Sequence, residues 1–337
     1  MVGFVSDNVS AIHPRIMEAL QRENEGVRMP YGNDGLSAQL NERFSQVFET
    51  PVDVIPCTTG TAANSLALSL MAGPINSIGV HERSHVYADE CNAPEFYSGA
   101  RLAPLAGADC KVELAELAEL TTLIGEAHSP QPAALSLTQT TEVGTVYSIQ
   151  EVQKLAEMAQ VKKMFVHMDG ARFANAVAAL DCSPADISWR AGIDALSFGG
   201  TKNGCMAAEA VVIFNRKLLP TAAHRQKRAG QLLSKNRFMA AQLLAYTEDD
   251  LWLQTARHAN ARMSELAAGL ANIEGVQLPS EIASNMMFAR FTEAQNRALK
   301  NAGLAGYLFD SGEMRLVCSW ATSKEDVDQF IACVSGA

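Results

Sequence analysis

Lys202 lies in the segment Ser197-Phe198-Gly199-Gly200-Thr201-Lys202-Asn203-Gly204, just past a short apolar run, and Asp169 ends a second apolar run, Met164-Phe165-Val166-His167-Met168. An amine and a carboxylate at the exits of two buried strands can grip opposite sides of one heteroaromatic aldehyde. The amine condenses with the carbonyl carbon, and the carboxylate keeps a pyridine nitrogen protonated so that the ring draws electrons. A third segment, Thr59-Gly60-Thr61-Ala62-Ala63-Asn64, stands between a short strand and a helix. Small residues there let backbone N–H groups approach a phosphate, with the helix dipole in support. Each feature has a plainer reading: a solvated turn lysine, an aspartate paired with Arg172, a helix capped by Thr59 or Thr61. Their joint occurrence points to pyridoxal phosphate chemistry.

The elements that must position these groups follow from periodicity. Asn33-Asp34-Gly35 marks a turn before a helix with Leu36, Leu40, Phe44, Val47 and Phe48 on one side, and residues 62–71 read as a buried helix. Strands are expected at Val52 to Pro56, Ser77 to Val80, Ala133 to Thr138, Met164 to Met168, Ala195 to Phe198 and Ala210 to Phe214, with a helix at Ile149 to Gln160. Strand–helix alternation favours a mostly parallel sheet covered by helices. The last two strands, separated only by Gly199 to Glu209, could instead form an antiparallel pair. A basic stretch, His224 to Gly230, leads into helices from about Leu232, and helical periodicity continues through Leu270. Strand-like pieces at Met286 to Phe291 and Met314 to Cys318, then a helix from about Lys324, suggest a smaller α+β domain. We expect an N-terminal arm at 1–25, a large domain at 26–240 and a small domain at 241–337.

Composition bounds the function. The chain has 337 residues, 48% of them hydrophobic, enough for a large core, and 27 Lys and Arg against 37 Asp and Glu give a charge of -10. That balance disfavours nucleic acid or an anionic membrane as partner. No apolar run reaches membrane-spanning length, and the start lacks a basic region before a hydrophobic one, so a cytoplasmic protein without an export signal is expected. Seven cysteines without Cys-x-x-Cys spacing read as reduced thiols, and seven scattered histidines argue against a metal centre.

From Ser6 to the C-terminal helix the chain resembles the fold-type I pyridoxal phosphate enzymes, and more narrowly the low-specificity L-threonine aldolases. Its landmarks are Ser6-Asp7-Asn8-Val9-Ser10, Tyr31-Gly32-Asn33-Asp34, the Thr59 to Asn64 loop, His167-Met168-Asp169-Gly170-Ala171-Arg172 and Thr201-Lys202. The resemblance implies an α/β, aspartate-aminotransferase-like fold: a mostly parallel seven-stranded sheet sandwiched by helices, plus a small α+β C-terminal domain. It also implies a homotetramer of catalytic dimers. Lys202 would hold pyridoxal 5'-phosphate through its amine, Asp169 would pair with the ring nitrogen, and Gly60 and Thr61 would bind the phosphate. Arg172 would approach the phenolic oxygen or the aldimine side of the ring and also touch substrate, and His85 would stack on the ring face and assist proton transfer. Ser6 and Arg315 would hold the substrate carboxylate, which a bidentate arginine suits. Tyr31 would lie near the cofactor, contributed by this chain or by a neighbouring subunit. His167, two residues before Asp169, would share its face of the strand and order it.

One departure stands out. Some family members carry an Asn-Thr-His-Asn segment after the strand near residue 137, where this chain has Thr138-Gln139-Thr140-Thr141-Glu142-Val143-Gly144. The acceptor of the substrate hydroxyl proton is thus open among Glu142, His85 and an ordered water. The expected reaction is cleavage of L-threonine, L-allo-threonine or L-phenylserine to glycine and an aldehyde. Its rivals are β-elimination, transamination or racemisation on the same cofactor, and a binding protein with a degraded site. A nicotinamide dehydrogenase is excluded by the missing glycine fingerprint.

Overall fold

Apolar runs and their alternation build the larger of two sheets in the computed structural model, which describes residues 3–337. Its strands are β1 (Asp53–Cys57), β2 (Asn76–His81), β3 (Arg101–Leu105), β4 (Gln131–Thr138), β5 (Phe165–Gly170), β6 (Ala195–Gly199) and β7 (Glu209–Ile213), in the order β1-β7-β6-β5-β4-β2-β3. Strands β3, β2, β4, β5 and β6 pair parallel, whereas β7 pairs antiparallel with both β6 and β1. The short return from Gly199 to Glu209 is therefore a hairpin-like reversal, one of the two arrangements open from sequence. Strand β3 went unread because Arg101 and Pro104 interrupt its pattern; as an edge strand it tolerates the proline.

Alternation along the strands separates two apolar layers. Leu196, Phe198, Val212, Val166 and Met168 pack on one face with Phe44, Phe48, Phe173 and Trp252. Ala195, Val211, Ile213, Ile78 and Val80 pack on the other face against Leu66 and Leu68 of the helix Gly60–Met71. Asp169 has the parity of the second face, which turns it toward that helix. In register, Thr138 stands beside Asp169, and Asp169 beside Ser197, so three strand exits open at one level.

A second sheet, β8 (Met286–Arg290), β9 (Tyr307–Leu308) and β10 (Glu313–Val317), is antiparallel in the order β8-β10-β9. Its own apolar cluster joins Met287, Leu316 and Met314 to Met263, Leu266 and Phe330 from the helices Leu251–Leu270 and Lys324–Ser335. Phe4 is buried in this cluster, and Val317 donates its N–H to Phe4 C=O at 2.9 Å. The N-terminal segment thereby runs along the small sheet toward the larger one.

Two helix boundaries differ from the sequence expectation. The basic stretch is itself helical, Ala222–Arg228, and ends before Gly230 at φ 73°; the next helix begins at Arg237 rather than near Leu232. The long periodicity also breaks at Asp249 and Asp250, at φ 49° and 54°, a left-handed conformation that aspartate tolerates better than most residues. All seven cysteines are free, and among the described residues no helix is long and apolar enough to cross a membrane.

Candidate active site

The strand exits and the start of the helix Gly60–Met71 enclose a cavity of about 300 Å³, lined by Gly60, Thr61, His85, Asp169, Arg172 and Lys202 among others. Six of the nine residues expected in the site thus meet in one place. Thr59 caps the helix, accepting the Ala62 N–H at 3.1 Å, which leaves Thr61 free of that task. A Cβ built on Gly60 would meet no atom within 4 Å, so space beside the backbone is open where a phosphate would approach the helix N-terminus.

Asp169 is 2% exposed and accepts hydrogen bonds from Ala171 N–H at 3.1 Å and Asn64 Nδ2 at 3.0 Å. Lys202 sits in the single turn Thr201–Asn203 that follows β6. Burial, then the neighbouring Arg172 charge, push its amine below the usual lysine range, against Asp7, Asp169 and Glu142. A depressed amine is a better nucleophile at neutral pH. Glu209 at the start of β7 accepts the backbone N–H groups of Gly200 and Thr201 at 3.2 and 3.3 Å and so braces the lysine turn. Burial raises its carboxyl to about 7.

Arg172 forms a two-pronged ion pair with Asp7, Nε to Oδ2 at 2.7 Å and Nη2 to Oδ1 at 3.0 Å, and Asn285 Nδ2 adds a contact to Oδ2 at 3.1 Å. Burial alone would raise the Asp7 carboxyl; the Arg172 and Lys202 charges and these hydrogen bonds hold it below the ordinary value instead. His85 opens the short helix His85–Ala88, its N–H donated to Glu142 Oε1 at 2.8 Å and its Nδ1 2.9 Å from Glu90 Oε1. The Glu90 hydrogen bond outweighs burial and raises the imidazole above its usual range. Burial, then Asp169, raise Glu142.

Three expected residues lie outside the cavity wall. Arg315 is half-buried, with Nη2 donating to Val5 C=O at 3.2 Å and Nε buried without a partner. Burial, then the Arg172 charge, lower its pKa. Ser6 lies beside the Asp7–Arg172 pair, its Oγ accepting the Asn8 N–H at 3.2 Å. Tyr31 is exposed, under Lys227 Nζ at 5.2 Å, and does not face this chain's own cavity. His167 is corrected: it bonds Ser136 Oγ at 2.8 Å and Ser197 Oγ at 2.9 Å, not Asp169. Side chains standing off a sheet meet their neighbours on flanking strands more closely than the residue two positions along. Burial lowers this imidazole to about 4.

Among the buried polar groups at the site, the charged or amide-bearing Asp7, Asn64, Glu90 and Glu209 received no role from sequence. Asp7 and Asn64 fall within the landmark segments, but nothing local marks Glu90 or Glu209. Among the described residues no three His, Cys, Asp or Glu side chains stand close enough to hold a metal ion. Buried atoms without a partner, Asn64 Oδ1, Glu90 Oε2 and Thr140 Oγ1, belong to residues of the cavity wall. Such atoms suit a polar ligand, and the donor set fits pyridoxal phosphate at its amine, acid and phosphate ends.

Comparison with known proteins agrees with this geometry. A low specificity L-threonine aldolase of Pseudomonas sp. (strain NCIMB 10558) is 41% identical, over 98% of this chain and 96% of its own. A threonine aldolase structure from Leishmania major superposes with a TM-score of 0.93 at 27% identity, over 100% of this chain and 99% of that one. An aspartate aminotransferase from Thermotoga maritima, 14% identical with a TM-score of 0.71 over 99% of this chain and 91% of its own, shares the fold. The fold is thus the aspartate-aminotransferase-like one, a mixed α/β sheet flanked by helices. Since the β-eliminating lyase family model also matches residues 3–294, this chain belongs to that family.

Proposed function

We propose that the protein is a pyridoxal phosphate-dependent aldolase that cleaves β-hydroxy-α-amino acids of the L-threonine, L-allo-threonine or L-phenylserine type to glycine and an aldehyde. The observation that carries this reading is that Lys202 and Asp169 face one cavity whose far end is the helix start at Gly60 and Thr61. Bound there, pyridoxal phosphate would supply an electron sink for the pair released when the Cα–Cβ bond breaks.

The chain's own residues do the rest. Lys202 would hold the cofactor through its amine. Asp169 would hold a proton on the ring nitrogen, its carboxylate fixed by Asn64 and Ala171. Gly60, Thr61 and the helix N-terminus would receive the phosphate. Arg315, with Ser6 beside it, would fix the substrate carboxylate and so orient the Cα–Cβ bond for cleavage. Arg172, held by Asp7, would present its charge to the oxygen-bearing side.

Two groups at the cavity can handle protons. Burial strengthens Glu142 as an acceptor for the substrate hydroxyl proton, and hydrogen bonding to Glu90 favours a protonated His85. Loss of that proton forms the aldehyde carbonyl, and a proton returned to Cα completes glycine. In the cell we read the protein as a cytoplasmic homotetramer; the exposed Tyr31 at a distance from its own cavity supports a site shared between copies.

The test is a panel of threonine, allo-threonine and phenylserine on cofactor-loaded protein, with glycine and aldehyde quantified together. Equal amounts of both are expected. Ammonia and a keto acid in their place would assign the site to elimination, and a keto acid without ammonia to transamination.

A further inference from the structure

Beyond favouring a protonated His85, Glu90 has no role in the scheme above, yet its carboxylate stands between His85 and the amide that reaches Asp169. The side chain has no solvent exposure. Its Oε1 lies 2.9 Å from His85 Nδ1 and accepts a 2.9 Å hydrogen bond from Asn64 Nδ2, which also donates to Asp169 Oδ2 at 3.0 Å. The backbone is bent to place it there. Cys91 and Asn92, immediately after, are both left-handed at φ 50° and 60°, so Glu90 turns inward while Cys91 stays exposed.

Burying a carboxylate is unfavourable unless hydrogen bonds or an opposite charge answer it. Asn64 supplies one hydrogen bond, and a protonated imidazole supplies both a second bond and the charge. With Nδ1 engaged, the ring orientation is fixed, and Nε2 makes no hydrogen bond among the described residues. A purely structural carboxylate would need no link to Asp169; here one amide group joins the two acids.

We propose that Glu90 is a positioning residue: it holds His85 by Nδ1 so that the ring and Nε2 face the cavity, and through Asn64 it couples that setting to Asp169. The kinetic part rests on the aldolase reading; the structural part does not. Around the imidazole, Glu90 and Asp169 favour the charged form, Glu142 faces it through the backbone, and Lys202 opposes it.

The experiment compares wild type with Glu90→Gln, which keeps an accepting oxygen and removes the charge, and with Glu90→Asp as partial rescue. Histidine-labelled, cofactor-free protein is titrated by NMR, with the His85 signal assigned from His85→Asn. Glu90→Gln is expected to move the His85 titration to lower pH. In loaded enzyme it should reduce kcat about a hundredfold, the scale of a misplaced catalytic group, with KM changed far less, and Glu90→Asp should recover part of the loss. An unmoved His85 titration, or equal losses in kcat for the Gln and Asp variants, overturns the proposal. Should Glu90→Gln fail to fold, wild-type nitrogen spectra decide: a hydrogen-bonded proton on His85 Nδ1 supports the role, and an Nδ1 without a proton refutes it. A wild type that cleaves no β-hydroxy amino acid would refute the aldolase reading, while the His85 titration would still test Glu90 independently.

Discussion

Asp7→Asn removes one charge from the Arg172 pair at nearly constant volume. Asp7 is 1% exposed and the Arg172 side chain 10%, so water screens little of their attraction. Breaking a buried pair by removing one partner destabilises a protein by about 3–5 kcal/mol, chiefly through the charge left behind. Two features place this case at the lower end: asparagine keeps an oxygen that can accept from Arg172, and Glu142 and Asp169 remain as partial counter-charges. About 3 kcal/mol is expected, which lowers the urea midpoint by about 1 M for a slope near 3 kcal/mol/M. Tryptophan fluorescence reports the right region, because buried Trp252 stacks on Phe173, the residue after Arg172, with ring centroids 6.3 Å apart. Folding holds the Asp7 carboxyl below its ordinary value of 3.8, so its stabilising effect is present above that value and lost as pH falls through the lower folded one. Wild type and variant should therefore converge in strong acid. A neutral-pH midpoint within about 0.2 M of wild type would refute the reasoning. So would simple additivity with Arg172→Gln, since contacting residues couple by about 0.5–3 kcal/mol.

Lys202→Ala should abolish turnover together with the visible absorbance of lysine-bound cofactor; a retained, borohydride-reducible band on another lysine would remove Lys202 from its role. Arg315→Ala should reduce kcat/KM for threonine about ten- to a hundredfold, the equivalent of about 1.5–3 kcal/mol for a lost charged hydrogen bond, and unchanged kinetics would release it from carboxylate binding. Glu209 is raised by burial from 4.5 to about 7, so the folded state holds its proton more tightly and wild-type stability declines as pH rises through about 7. Glu209→Gln cannot undergo that decline. Its stability relative to wild type should improve between pH 5 and pH 8, by at most about 3 kcal/mol, and a pH-independent difference between the two would show that the carboxyl does not titrate there.

The parts of the site legible in the sequence are those whose signal is local. Asp169 and Lys202 each follow an apolar run, and the two runs are the parallel neighbours β5 and β6, whose exits lie side by side. Thr59 to Asn64 was readable for the same reason, as small residues opening a buried helix. The partners were not. Asn64 meets Asp169 across 105 residues of sequence and Asp7 meets Arg172 across 165, separations at which no periodicity survives. Glu90 stands among Ala88, Asp89, Cys91 and Asn92, a stretch that reads as a surface turn, and only the two left-handed residues after it send its carboxylate inward. His167 shows the converse: parity placed it on the correct face, but its contacts are Ser136, its register partner on β4, and Ser197, the diagonal neighbour that the register sets beside Asp169.

These hidden partners decide how the visible ones behave. On the proposed reading the Lys202 nucleophile must be neutral, yet Asp7, Asp169 and Glu142 each favour its charged form. Burial and Arg172 oppose them and prevail. Arg172 can do so only while it stays in place, and the two-pronged pair with Asp7 is what holds it there. Asp7 thus acts on Lys202 in two opposed ways, directly by attraction and indirectly through the cation it holds. If the indirect path is the larger, Asp7→Asn that frees Arg172 to swing away will leave the amine more basic. If the direct path is larger, the amine becomes less basic and Arg172 remains in place. The pH dependence of cofactor uptake by the cofactor-free variant, which requires the neutral amine, separates the two, and its sign reports whether the N-terminal segment only anchors the arginine or also tunes the lysine.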